Sequence, residues 1–269
     1  MKVKRFGLKH NVFLMVLFLS FSVPVSASNE RGKVTVVDTF PSDNQAFTQG
    51  FELSPSNDLV IATGLYGESY IGELDLQTGH VEVYDVLDEA LFGEGITFTP
   101  DYLWQVTWEN EQALKRDIKT YEVVDVVDYD GMGWGLAYDE QADVIWMSNG
   151  SNQLLKRNSS TFELLGSVDI YFEGEPLDQL NELEFANGWI YANVWFQDTI
   201  YQIDPTTGQV VSHYEFGPII DALDLTDEQI ESMNVLNGIA HIEGDNFYIT
   251  GKNYPFVLEV TLESQWLVE

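Results

Sequence analysis

The chain has 269 residues and a formal net charge of −32, with 44 acidic residues, 12 Lys and Arg, and no Cys. Such an acidic surface repels nucleic acid and anionic membranes and attracts cations. Because no disulfide can form, the fold must be held by burial of apolar side chains. We attribute most of the charge to solubility, with a secondary steering benefit for a cationic peptide.

The first 27 residues have the pattern of a secretory signal. The basic residues Lys2, Lys4, Arg5 and Lys9 precede the apolar stretch Val12–Val23, and Val25-Ser26-Ala27 is a small-x-small cleavage site. The alternative is an uncleaved anchor, although the apolar stretch is too short to anchor the chain by itself. We therefore predict a signal peptide over residues 1–27, one domain over 28–269, and export to the periplasm or the medium.

An internal repeat of about forty-five residues organises the rest of the chain. Each repeat opens with a polar or aromatic residue, then a small or acidic one, then an apolar strand; the openings are Gln49, Glu94, Trp134, Asn181 and Asn237. Second strands are predicted at 59–63, 103–107, 144–148, 190–194 and 247–250, and third strands at 70–74, 113–116, 153–156, 199–203 and 257–260. A turn such as 204–208 then leads to a fourth strand.

Four strands in each of five repeats predict an all-β protein, a five-bladed β-propeller. A β-sandwich is the rival fold, but it does not predict the same pattern five times. The strand near Val34–Thr39 precedes the first repeat, and we expect it to complete the last blade and remove an open edge.

Two connections depart from the repeat. The stretch Phe216–Met233 is inserted before the last repeat, and Thr226-Asp227-Glu228-Gln229 predicts a capping box that opens a short helix through Ser232. The segment Tyr171–Gln179 is a second long connection. In a propeller such loops lie on a rim, where they can form part of a mouth.

The repeat register predicts where polar side chains converge. The five repeat openings ring the propeller axis, and the ends of the second strands add Trp108, Ser148-Asn149, Trp195 and Lys252. One carboxylate, one lysine, three tryptophans and several amides form a pocket of the composition usual for a small-molecule site.

These residues also have purely structural interpretations. Each Trp could pack between blades, Asn237 beside Gly238 could be a turn residue, and Lys252 could be a solvated lysine. Glu94 is harder to explain in this way, because Gly93 and Gly95 on either side let the backbone approach closely. A carboxylate among aromatic side chains has a raised pKa, which suits proton transfer near neutral pH.

Other catalytic patterns are missing from the sequence. The four His have no metal-ligand spacing, and there is no Gly-x-Ser-x-Gly elbow or Gly-rich phosphate loop. The triplets Asn149-Gly150-Ser151 and Asn158-Ser159-Ser160 are weak glycosylation matches. We therefore expect no metal and no other cofactor.

The repeat openings and strand ends carry a specific set of motifs. They are Phe47-Thr48-Gln49-Gly50, Gly64-Leu65-Tyr66-Gly67-Glu68-Ser69, Phe92-Gly93-Glu94-Gly95-Ile96-Thr97, Gln105-Val106-Thr107-Trp108, Gly133-Trp134-Gly135-Leu136, Leu180-Asn181-Glu182-Leu183-Glu184, Ala192-Asn193-Val194-Trp195, Leu236-Asn237-Gly238-Ile239-Ala240 and Thr250-Gly251-Lys252. In this order, over about residues 35–262, they resemble the plant and bacterial type of glutaminyl cyclase. The resemblance implies a five-bladed propeller and a metal-independent conversion of N-terminal glutamine to 5-oxoproline with loss of ammonia.

The resemblance also implies roles for individual residues. Glu94 matches the catalytic glutamate of the family; Gln49, Asn181 and Lys252 match its polar pocket residues, and Trp108, Trp134 and Trp195 its aromatic pocket. We accordingly assign Glu94, Lys252 and Asn181 to catalysis, and Gln49, the three tryptophans and Asn237 to substrate binding. Three positions depart from the usual pattern, namely Met132 in place of Glu, Tyr254 in place of Trp and Asn149 in place of Asp; they bear on substrate preference and rate.

The expected partner is a peptide or protein that begins with glutamine, bound by a monomer that contacts no nucleic acid and, after signal cleavage, no membrane. One alternative is a non-catalytic exported propeller that binds a ligand or protein, because fold alone does not settle function. Another is a carbohydrate-active enzyme, for which Glu182 or Glu184 would have to supply the second carboxylate that glycosidases usually need.

Overall fold

The computed structural model describes residues 30–264, which form 23 strands and two short helices. Before the first repeat lie β1 (Glu30–Arg31) and β2 (Lys33–Pro41). The first three repeats hold β3 (Thr48–Leu53), β4 (Leu59–Thr63), β5 (Tyr70–Leu74), β6 (Val81–Val86), β7 (Gly93–Phe98), β8 (Tyr102–Thr107), β9 (Gln112–Asp117), β10 (Val123–Asp128), β11 (Leu136–Asp139), β12 (Val144–Met147), β13 (Gln153–Asn158) and β14 (Leu164–Asp169). Then come β15 (Tyr171–Phe172), β16 (Glu175–Pro176), β17 (Leu180–Ala186), β18 (Trp189–Val194), β19 (Thr199–Ile203), β20 (Val210–Glu215), α1 (Gly217–Ile220), α2 (Asp227–Ser232), β21 (Leu236–Glu243), β22 (Asn246–Gly251) and β23 (Phe256–Glu263).

The repeats form the five blades of a β-propeller. Blades 1, 2 and 3 are the antiparallel sheets β3–β6, β7–β10 and β11–β14, and blade 4 is β17–β20 with β1 added in parallel to β20. Blade 5 consists of β21, β22, β23 and the N-terminal strand β2. The innermost strands β3, β7, β11, β17 and β21 contact one another in turn, and β21 contacts β3, so the ring is closed. The predicted propeller is confirmed, and the sandwich is excluded.

The closure of the ring by the N-terminal strand is also confirmed. Strand β2 pairs antiparallel with β23, and Val36 lies opposite Val260. This pairing places strands from near the two ends of the described chain in one blade and covers an edge of β23 that would otherwise be open. The predicted signal peptide, residues 1–27, lies outside the described residues.

The core lies between neighbouring blades, and burial falls from the axis outwards. All six residues of the inner strand β7 are buried, whereas the outer strand β14 is almost wholly exposed. Apolar side chains of blade 3 such as Trp146 pack with those of blade 4 such as Ile190 in one cluster. Complete burial of a side chain like Ile190 contributes about 1.5–3 kcal/mol, so the blades are held together by their apolar faces.

The inner strands approach each other closely because glycine follows the repeat opening in four blades, at Gly50, Gly95, Gly135 and Gly238. A Cβ on Gly95 would lie 2.5 Å from Trp134 O, and Gly95 N itself donates to that oxygen at 2.7 Å. This direct hydrogen bond between blades leaves no room for a side chain.

The insertion before blade 5 contains the predicted capping box. The Thr226 side chain accepts from Gln229 N, and the Gln229 side chain accepts from Thr226 N, at the start of α2. Helix α1 and the hairpin β15–β16 were not predicted, because each is too short to show a periodicity in the sequence. Neither helix in residues 30–264 has the length and apolar character needed to cross a membrane.

Candidate functional site

The site residues are placed by a backbone hydrogen bond that recurs at the same position in four blades. It joins Gly64 N to Phe47 O, Trp108 N to Phe92 O, Trp195 N to Gln179 O and Lys252 N to Val235 O, at 2.9, 3.0, 2.9 and 2.9 Å. Trp108, Trp195 and Lys252 therefore occupy equivalent positions at the ends of second strands. In each of these blades the repeat opening lies two residues after the acceptor. The repeat openings and the ends of the second strands are therefore aligned in the same way in all four blades.

A cavity of about 290 Å³ lies where the inner strands begin. Its wall is made by Phe47, Gln49, Leu65, Phe92, Glu94, Trp108, Trp134, Asn181, Trp195, Phe196, Asn234 and Lys252. Seven of the eight residues assigned to the site from the sequence are therefore brought together, although they come from all five blades. The eighth, Asn237, is fully buried beside Gln49 and is not part of this wall.

Glu94 is the carboxylate of this cavity, and only 4% of its surface is exposed. Gln49 Nε2 donates to Glu94 Oε1 at 3.2 Å. Burial raises the pKa of Glu94 well above its usual value, and the positive charge of Lys252 opposes that shift. Glu94 can thus exchange a proton nearer to neutral pH than an exposed glutamate can.

Lys252 is the cation of the cavity and is only 5% exposed. Burial lowers the pKa of Lys252, whereas the negative charge of Glu94 raises it. Its ammonium nitrogen lies 4.9 Å from the centre of the Phe47 ring. A buried ammonium group next to an aromatic face retains donors that a bound oxygen can accept from.

Aromatic rings line both sides of the cavity. On one side Trp134 and Trp195 meet edge to face at 5.6 Å, and Phe196 stacks on Trp195 at 4.4 Å. On the other side the Phe92 ring lies 5.4 Å from the Trp108 ring and 6.4 Å from the Phe47 ring. These walls bury the carboxylate, and burial strengthens the electrostatic interactions inside the cavity.

Phe196 forms an exposed lip of the same wall. It is 70% exposed and has a φ of 64°, which is a strained conformation for a residue other than glycine. The turn that presents it is held by hydrogen bonds from Trp195 N to Gln179 O and from Gln197 N to Val194 O. The fold therefore fixes an apolar side chain at the mouth, where a bound molecule would leave the cavity.

Three polar atoms of the wall are buried and have no hydrogen-bond partner within residues 30–264. They are Glu94 Oε2, Asn181 Oδ1 and Trp134 Nε1. A buried polar group without a partner costs about 1–3 kcal/mol, so three in one cavity indicate a site prepared for a polar ligand. The ligand has to offer hydrogen-bond donors to the carboxylate and the amide oxygen, and an acceptor to the indole N–H.

A larger cleft of about 710 Å³ lies elsewhere, on blades 1 and 5, and is lined by acidic residues such as Asp58, Glu73 and Glu243. It shares no lining residue with the smaller cavity. The unpartnered buried atoms of the described chain include none from its wall. For this reason we place the functional site in the smaller cavity.

Several candidate residues have structural partners instead. Ser148 Oγ donates to Asn181 O at 2.6 Å, and Asn149 Oδ1 accepts from Ser151. Glu182 Oε2 accepts from Ile239 N at 2.9 Å. Each oxygen of the Glu184 carboxylate also accepts from a backbone N–H group. These glutamates join inner strands to each other, so neither supplies the second cavity carboxylate that a glycosidase would need.

Five lining residues were not assigned to the site from the sequence, namely Phe47, Leu65, Phe92, Phe196 and Asn234. Phe47 and Phe92 each lie two residues before a repeat opening, and that spacing could have identified them. Leu65 and Phe196 lie just beyond the ends of second strands, in turns whose direction the repeat does not show. Of the three departures from the family pattern, Tyr254 is buried on Phe256 and Met132 is exposed, and neither lines the cavity.

The protein is a five-bladed propeller with a cavity at its axis, and this cavity holds one carboxylate, one lysine and an aromatic wall. Residues 12–262 match the family model described as glutamine cyclotransferase. The chain belongs to this family.

Individual relatives agree with that assignment. A glutaminyl-peptide cyclotransferase from Arabidopsis thaliana is 32% identical over 238 residues, which cover 88% of this chain and 73% of the relative. A crystal structure of Myxococcus xanthus glutaminyl cyclase matches with a TM-score of 0.77 at 28% identity, covering 88% of this chain and 99% of that one. A protein of unknown function from Bacteroides thetaiotaomicron VPI-5482, at 10% identity and a TM-score of 0.51 over 88% of this chain and 74% of that one, shares the fold alone. The homology to a glutaminyl-peptide cyclotransferase suggests that the chain is an enzyme.

Proposed function

We propose that this protein is a glutaminyl-peptide cyclotransferase that converts the N-terminal glutamine of peptides or proteins to 5-oxoproline and releases ammonia. The observation that carries the proposal is the set of unpartnered buried atoms, Glu94 Oε2, Asn181 Oδ1 and Trp134 Nε1, in one aromatic cavity with Lys252. An N-terminal glutamine offers the complementary groups, which are an amine, an amide N–H₂ and a carbonyl oxygen.

In the proposed reaction the α-amine attacks the γ-carbonyl carbon of the same residue. The new C–N bond closes a five-membered ring, the carbonyl oxygen becomes an oxyanion, and the bond to the amide nitrogen then breaks. Glu94 takes a proton from the amine and transfers it to the departing nitrogen, which leaves as ammonia. Because the reaction is intramolecular, holding the folded-back conformer between Trp108, Trp134 and Trp195 supplies much of the acceleration.

The roles of the polar residues follow from the atoms that each has free. Gln49 directs its N–H₂ group to Glu94, and the buried Oδ1 of Asn181, which has no partner within residues 30–264, can only accept. We therefore assign the oxyanion to Lys252 Nζ and Trp134 Nε1, and the substrate amide or amine N–H to Asn181. Donors of this kind act most strongly in a site that excludes water.

The rest of the peptide leaves the cavity past Phe196, so peptides and intact proteins with an accessible N-terminus are the proposed substrates. We further propose that the enzyme acts outside the cytoplasm, on the basis of the signal sequence over residues 1–27. The alternative of a non-catalytic binding propeller does not need a proton-transfer group, whereas the raised pKa of Glu94 suits exchange of a proton with the substrate.

Ammonia release and loss of the free amine can be measured on three matched peptides, which begin with Gln, with N-acetyl-Gln and with Asn. The proposal predicts turnover of the first alone, since acetylation removes the nucleophile and asparagine would have to close a four-membered ring. The rate should be the same after treatment with a strong chelator. No turnover of any Gln peptide by the folded protein would favour the binding propeller.

A further inference from the structure

Asn237 is part of a hydrogen-bonded chain that ends at Glu94. It is the second residue of β21 and is fully buried. Its Nδ2 donates to Thr48 O at 3.0 Å and to Gln49 Oε1 at 3.3 Å, and its Oδ1 accepts from Glu182 N at 3.4 Å. The side chain thus links blade 5 to blades 1 and 4 at the base of the site.

The orientation of the Asn237 amide is fixed by backbone groups at both ends. A backbone carbonyl such as Thr48 O can only accept, and a backbone N–H such as that of Glu182 can only donate. Reversing the Asn237 amide would place two acceptors against each other at one end and two donors at the other. The N–H₂ group of Asn237 must therefore face Gln49.

The orientation of Gln49 follows from that of Asn237. Because Asn237 offers a donor, Gln49 must turn its oxygen to Asn237, and its Nε2 is then directed to Glu94 Oε1 at 3.2 Å. A reversed Gln49 would present an oxygen to the carboxylate, which repels the ionised form. One oxygen of Glu94 is thereby occupied by a donor, and Oε2 has no hydrogen-bond partner within residues 30–264.

We propose that Asn237 is a positioning residue, which orients the Gln49 amide so that Gln49 donates to Glu94 and leaves the second carboxylate oxygen for the substrate. The effect of Asn237 on catalysis rests on the proposed function, but its effect on the pKa of Glu94 does not. It replaces the direct contact with substrate that the sequence alone led us to expect for Asn237.

The charged groups that influence Glu94 have to be separated from this effect. Lys252 is the cation whose charge acts on Glu94, and the buried phenol of Tyr129 senses the charge of Glu94 in turn. Replacing Asn237 by Ala leaves both groups in place and changes no charge. A change in the titration of Glu94 in that variant therefore reports the lost donor.

The test compares Asn237→Ala, Gln49→Ala and the double variant with the unmodified enzyme. In each protein the pKa of Glu94 is measured by carboxyl ¹³C NMR and from the acidic limb of kcat/KM for ammonia release. We expect Asn237→Ala to raise that pKa by about half a unit to one unit, since a hydrogen bond to the ionised form is weakened. In the double variant the pKa should equal that of Gln49→Ala, because Asn237 acts through Gln49.

Asn193→Ala is the matched control. Asn193 is as deeply buried in the same blade interface, and its Oδ1 accepts from Gly238 N at 2.9 Å, but it has no hydrogen bond to Gln49. It should lower the melting temperature without moving the pKa of Glu94. If Asn237→Ala does not fold, Asn237→Ser removes the same amide with a smaller change in volume.

An unchanged Glu94 pKa in Asn237→Ala, an equal shift in Asn193→Ala, or additive shifts in the double variant would each overturn the inference. The NMR titration keeps this outcome separate from the proposed function. If the unmodified protein releases no ammonia but Asn237→Ala still shifts the Glu94 titration, the function fails and the positioning role stands.

Discussion

Gln49 and Glu94 lie on the inner strands of neighbouring blades, 45 residues apart, and Gln49 Nε2 donates to Glu94 Oε1 at 3.2 Å. Each occupies the opening position of its repeat, so the periodicity that builds the propeller also builds the site. The hydrogen bond crosses a blade boundary that is held by apolar packing and by close contacts at glycines. The site geometry therefore depends on the packing of whole blades.

Replacing Lys252 by Met should lower kcat by about 10²–10³-fold, because a buried donor to the oxyanion is lost. The same change removes the charge that lowers the pKa of Glu94, so that pKa should rise further and the acidic limb of the rate profile should move to higher pH. Lys252→Arg keeps the charge and should leave the limb near its original position. If the acidic limb of the rate profile does not move in Lys252→Met, the electrostatic link between Lys252 and Glu94 is contradicted.

Trp134→Phe should keep the aromatic wall but remove the unpartnered indole N–H. We expect kcat to fall by about 10²-fold with little change in KM, which is the effect of losing one oxyanion donor. Trp108→Phe is the comparison variant, since Trp108 lines the same cavity and its proposed role is packing. Equal losses in the two variants would mean that the Trp134 N–H has no special role.

Burial raises the pKa of Glu184 from 4.5 to about 7. The folded protein therefore holds this proton at pH values where the unfolded chain has lost it. The contribution of Glu184 to the free energy of unfolding is complete below a pH of about 4.5 and is lost as the pH rises through about 7. The free energy of unfolding, measured with denaturant, should fall between pH 5 and 8. Glu184→Gln should reduce that fall by on the order of 2 kcal/mol. The exposed control Glu89→Gln should retain the slope.

Phe196→Ala should leave kcat for glutamine amide unchanged and raise KM for longer peptides about two- to tenfold. The reason is that this side chain is exposed at the mouth, outside the region that holds the glutamine itself. Steady-state kinetics on glutamine amide and on a Gln-initiated pentapeptide would measure kcat and KM for each substrate. An equal effect on the two substrates would place Phe196 in the inner pocket instead.

The fold could be predicted from the sequence because each blade repeats the same pattern of strands and turns. The second strand Leu59–Thr63 and the third strands Tyr70–Leu74 and Thr199–Ile203 agree at both ends with the structure. The helix capped by Thr226 was also predicted, since a capping box is a local signal. The hairpin β15–β16 was missed because two-residue strands are set by contacts with other parts of the chain.

The site was only partly accessible from the sequence. The repeat pattern predicts that Gln49, Glu94 and Lys252 lie at one axis, but it does not show which of their atoms already form hydrogen bonds. Asn237 occupies an equivalent opening, yet its side chain turns to backbone groups of neighbouring blades and lies outside the cavity wall. Hydrogen-bond partners between blades depend on packing at the level of single side chains, which a periodic pattern does not encode.

The central claim is that Glu94 transfers the proton in the closure of N-terminal glutamine. The most direct measurement is ammonia release from a Gln-initiated peptide by the unmodified protein and by Glu94→Gln, each with and without a strong chelator. The variant should lose about 10²–10⁴-fold in turnover, and chelation should change neither rate. Glu184→Gln, a change at a buried carboxylate that does not line the cavity, should retain activity. Near-normal turnover in a folded Glu94→Gln variant would contradict the account.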